Sequence, residues 1–194
     1  MIRYLVNFPV IVGAVENYAG LLHHAALPIV KRIKEEKKIC ISLGCMTSGG
    51  TSDRMKISKE NRIKFYETNI EIFKRIQDLL RSCIDENIIL FDQTVFETTF
   101  RRLNTVQQKW DVLIQDFYWP LFEEAKFQKV YLQPYWNESD GTKEELEKLI
   151  TLDADIYELP EGCYELNEEE FAIMLMVLEP ISNKDIENKI LQFN

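Results

Sequence analysis

The chain has 194 residues, 46% of them apolar or aromatic and 28% charged, with a formal net charge of -9. That is enough apolar content for one buried core and a length within the range of a single domain. An acidic balance with Lys and Arg scattered along the chain argues against a protein that grips nucleic-acid phosphates through its overall field, so no nucleic-acid partner is expected.

The opening "MIRYLVNFPVIVGAV" sets a basic residue before an apolar run. Asn7 and Pro9 interrupt that run, no small-x-small cleavage site follows, and it is too short to cross a bilayer. A first strand or core segment is expected there rather than an export signal or a membrane anchor. A helix is expected over about 16–37. Within it His23 and His24 are adjacent and so point to different faces, which makes a shared metal ion difficult; neither metal nor cofactor is expected.

Cysteines 40, 45, 83 and 163 show neither zinc-site pairing nor the density of a disulfide scaffold, so reduced thiols and a cytoplasmic setting are expected. Cys45 is close to the candidate site and could be a nucleophile, although no His lies near it in sequence.

Three short runs read as strands: "ICISLGC" (39–45), "NIILFD" (87–92) and "KVYLQPYW" (129–136). Between the first two, Ile63, Tyr66, Ile70, Phe73, Ile76 and Leu80 recur at helical steps after a capping Ser58. A second helix is expected across "NTVQQKWDVLIQDFYWPLFEEA", with a kink or break at Pro120. Its "DFYWPLF" cluster reads mainly as core, with Tyr118 or Trp119 as secondary candidates for lining a pocket. "DIYEL" is a weakly apolar further strand. Asn167 and Glu170 form a capping pair for a tail helix, and a short helix follows Ser182.

This alternation predicts an α/β fold: one Rossmann-like domain over 1–194, a parallel sheet flanked by helices, with its core at about 39–158. Residues 1–38 and 159–194 are expected to add accessory helices, the tail covering one sheet face or forming a dimer surface. No repeat or low-complexity linker interrupts the chain.

In such a sheet, ligands sit beyond the carboxyl ends of the strands. Three loops would meet there. "GCMTSGGTSD" carries Gly44, Thr47, Gly49 and Gly50, and its glycines allow close backbone approach to a ligand. Asp92 ends the second run, as a ligand contact or as a turn former beside Gln93. The third loop, "PYWNESDG", leads into Ser139, Gly141 and Glu145 at S-x-G-x-x-x-E spacing. Gly141 lets a ligand near the backbone, Ser139 offers a hydroxyl, and Glu145 in a first helical turn would be held as an anion suited to nucleophilic attack. Equally, Thr142 and Glu145 fit a capping box, with the Glu bonded back to the main chain. Trp136 could stack on a base or fill the strand end.

At these residues the chain resembles the nucleoside 2-deoxyribosyltransferase-like superfamily. Its members carry a similar strand, then Ser or Asp, Gly two residues later and Glu six residues later. "PYW" resembles the "PGW" before the motif in several branches, and "SLGCMTSGG" and "LFDQTVF" look like the corresponding early segments, over about 39–158. "SDGTKEE" is more distantly similar to the G-G-x-G-T-x-x-E motif of lonely-guy phosphoribohydrolases.

The resemblance implies cleavage or transfer of the N-glycosidic bond of a small-molecule nucleoside or nucleotide. Glu145 would be the catalytic nucleophile; Ser139, Gly141 and the first loop with Gly44 and Thr47 would hold sugar or phosphate. A homodimer completing the pocket is implied as well. The bulky, charged continuation "LEKLITLDAD" leaves open a second reading, a domain that binds such a ligand without turning it over.

Overall fold

The computed structural model describes Lys31 and residues 38–45, 62–94 and 118–191, with nothing said of the side chains of 62–66. His23, His24, Thr47, Gly49, Gly50, Ser58, the expected helix over 16–37 apart from Lys31, and most of the stretch before Tyr118 lie outside these residues.

Four parallel strands form one sheet: β1 (Lys38–Leu43), β2 (Ile88–Phe91), β3 (Lys129–Leu132) and β4 (Asp155–Glu158), in spatial order β2-β1-β3-β4. Around it lie α1 (Arg62–Cys83), α2 (Trp119–Ala125), α3 (Asp140–Ile150), α4 (Glu168–Val177) and α5 (Asn183–Leu191). The fold is α/β, a parallel sheet with helices on both faces in the Rossmann-like manner, and the weakly apolar "DIYEL" supplies its fourth strand.

The strands are near-continuous apolar runs because both faces are covered. Period-two alternation divides them. Ile39, Ile41, Leu43, Phe91, Val130, Leu132 and Ile156 meet α2, α3 and α5, while Cys40, Leu90 and Tyr131 meet α1 and α4. Phe73, Ile76, Leu79 and Leu80 seat α1 with no measurable exposure. Truncating a ring such as that of Phe73 to Ala would cost about 3–5 kcal/mol.

Pro120 is the second residue of α2, and Tyr118, just before the helix, already has helical φ and ψ of -71 and -48. Tyr118 and Phe122 are core, as the cluster predicted. The tail helices are capped as expected: Asn167 and Glu170 form a reciprocal box, and Ser182 Oγ accepts from the Asp185 backbone N–H at 3.2 Å. The tail does not cover a single face, however. Phe171 of α4 packs on the α1 side and Ile186 and Ile190 of α5 on the other, because Pro180 and Ile181 carry the chain across the sheet edge, with the Ile181 N–H bonded to Ile156 O at 2.8 Å.

Candidate functional site

From β1 the chain steps to β2 on one side, and β3 and β4 then extend the sheet on the other. The strand order therefore reverses between β1 and β3. Loops leaving the carboxyl ends of two such strands diverge to opposite faces, which opens a crevice between them. A cleft of about 300 Å³, counted to its open mouth, lies there, lined by Cys45, Asn69, Ile72, Gln133, Pro134, Tyr135 and Tyr164. Its enclosed part has room for about one water-sized group.

The end of β1 and the turn after β3 are laced together. Gln133 N–H bonds to Leu43 O at 2.7 Å, Thr142 Oγ1 donates to Gly44 O at 3.1 Å, and Cys45 Sγ donates to Tyr135 O at 2.9 Å. Tyr135 takes the left-handed conformation, φ 64 and ψ 16, and its hydroxyl donates to Glu161 Oε1. Tyr164 has its phenol pKa raised, first by burial and then by neighbouring Glu165, Glu161 and Cys163, so it stays a neutral donor.

The predicted residues separate on this frame. Gly44 does sit at the switch point, yet the group that approaches it is protein: a Cβ there would lie 2.8 Å from Gln133 Cβ and 2.9 Å from Gln133 Oε1. Ser139 is buried as the N-cap of α3, its Oγ accepting from Thr142 N at 3.4 Å, and Gly141 is the second residue of that helix.

Glu145 is the sixth residue of α3 and stands in the second turn, not the first, because the helix begins three residues before the position its T-x-x-E pattern suggests. The capping-box alternative is not formed either, since Ser139 takes the cap and Thr142 turns its hydroxyl to β1. Glu145 is 7% exposed and does not stand as a free carboxylate. It shares the inward face of α3 with Thr142, one turn along, and is not among the residues lining the cleft.

At two positions one of the two open readings is taken. Asp92 follows the edge strand β2, one strand away from the reversal. Its Oδ2 accepts from Arg81 Nη2 at 2.7 Å, and its Oδ1 accepts from Thr94 N at 2.9 Å and Thr94 Oγ1 at 2.6 Å, which makes it a turn former. Trp136 is 1% exposed in the core, with Nε1 donating to Glu158 Oε1 at 2.9 Å, so neither face of the ring is open to a base. Neither Tyr118 nor Trp119 lines the cleft.

Asn69, Gln133 and Tyr164 were not anticipated. The available signals were an amide ending an apolar strand and an Asn on the sheet-facing side of α1, both of which ordinary turn or capping chemistry explains equally well. Among the described residues no group of three or more His, Cys, Asp or Glu could hold a metal ion, and no helix is long and apolar enough to cross a membrane. Comparison with family models, curated proteins and solved structures gives no match.

Proposed function

We infer that the crevice between β1 and β3 binds a nucleoside or nucleotide, and that N-glycosidic hydrolysis or transfer through Glu145 is the reaction to be sought. The carrying observation is the convergence of the β1 end with the β3–α3 turn at the reversal of strand order, fastened by the Thr142 bond to Gly44. The turn bears the S-x-G-x-x-x-E residues of the resemblance. Tyr135 adds weight: the resembling branches place Gly at this point of "PGW", and here the backbone is left-handed, a conformation that favours Gly.

A second reading, binding without turnover, is favoured by the burial of Glu145 and the commitment of the Ser139 hydroxyl to a cap. One experiment separates them. Incubation with a panel of nucleosides and nucleotides should release or exchange the base, and Glu145→Gln should lower that rate at least about 100-fold, the loss expected on removing a covalent nucleophile. Saturable binding by calorimetry with no base release would leave the binding reading, and absence of both would end the proposal.

A further inference from the structure

The side chain of Gln133 is held by two independent devices. Its Nε2 donates to Ser42 Oγ at 2.8 Å and faces the Phe73 carbonyl at 3.4 Å; a carbonyl only accepts, so the nitrogen side of the amide must be the one turned to α1. On the other side, Gly44 leaves the space that Oε1 and Cδ occupy, since a Cβ at that position would come within 2.9 and 3.1 Å of them. The result is an amide fixed in the wall of the cleft whose Oε1 takes no hydrogen bond within the described residues.

We propose that Gln133 is a specificity-determining residue: its fixed carboxamide oxygen accepts a hydrogen bond from an exocyclic amino group of the ligand, selecting amino-bearing nucleobases over their keto counterparts. The proposal rests on the nucleoside reading above. The cleft is narrow, which suits a single protruding group beside the amide, and Ile72, Pro134, Tyr135 and Tyr164 among its lining residues offer apolar surface to a ring. An exocyclic carbonyl in the same place would set two acceptors against each other. Ser42 is a positioning residue: the Phe73 carbonyl sets which end of the amide faces out, and the Ser42 hydroxyl accepts the shorter of the two bonds that hold it there.

Equilibrium binding is measured for adenosine against inosine and cytidine against uridine, in ribo and 2′-deoxy forms, with the full chain and with Ser42→Ala. The expected result is a preference of about tenfold for the amino member of whichever pair binds, one hydrogen bond's worth. In Ser42→Ala the amide keeps only its 3.4 Å approach to the Phe73 carbonyl and loses the bond that pins it, so the ratio should fall towards one, a change that a merely structural Ser42 would not produce. Binding without preference in the full chain, or a ratio unchanged in Ser42→Ala, overturns the role of Gln133 while leaving the nucleoside reading standing. No binding of any member overturns both.

Discussion

Tyr135 pays a local backbone cost that its neighbours offset. A non-glycine residue in the left-handed region is disfavoured by about 1–2 kcal/mol, and here the hydroxyl reaches Glu161 while the carbonyl accepts from the Cys45 thiol. Two substitutions separate these terms. Tyr135→Ala keeps the strain and loses the ring, whereas Tyr135→Gly loses the ring but relieves the strain. Urea denaturation should therefore find the Gly variant more stable than the Ala variant by about 1 kcal/mol; the reverse order would mean that the left-handed turn does not form. Gly44 makes the opposite case. It is needed not for an unusual φ but for the space in which the Gln133 amide lies.

At the scale of the element, α3 starts at the cap that Ser139 provides. Ser139→Ala should cost about 1 kcal/mol, and Ser139→Asp should restore it, because Asp caps as well as Ser. Thermal melts of the two variants check this.

The elements themselves were largely readable. Apolar runs at 39–45, 87–92 and 129–136 cover β1 from its second residue and the whole of β2 and β3, and the Asn167 and Ser182 caps begin α4 and α5, since burial on both sheet faces and unpaired helix ends leave direct marks in sequence. The site was less readable. T-x-x-E at Thr142 and S-x-x-T at Ser139 both suit a helix start, and only the tertiary bond from Thr142 to Gly44 O decides between them. Nor could the sequence say that Asp92 belongs to an edge strand or that Trp136 turns inward onto Glu158, because strand order and side-chain direction depend on which elements pack together.

For the whole molecule, the buried thiols link stability to pH. Burial pushes Cys40 and Cys163 each from the ordinary 9.0 up to about 12, and Tyr131 is raised by burial in the same sense. The folded state holds these protons more tightly than the unfolded chain does. Their contribution is thus complete below pH 9 and is lost as the pH rises from about 9 to about 12, by at most about 1.4 kcal/mol per pH unit for each thiol. Urea midpoints should accordingly fall between pH 8 and pH 10.5; an unchanged midpoint would mean that these thiols are already open to water.

On the proposed reading, ligand binds where the strand order reverses. Amide chemical shifts followed by NMR during titration with the nucleoside panel test it most directly. Saturable shifts are expected at Gly44, Cys45, Asn69, Gln133, Tyr135 and Trp136, with Asp92 and the α4 amides unmoved. Saturable shifts centred on the β2 edge or on α4, or none with any member of the panel, would contradict it.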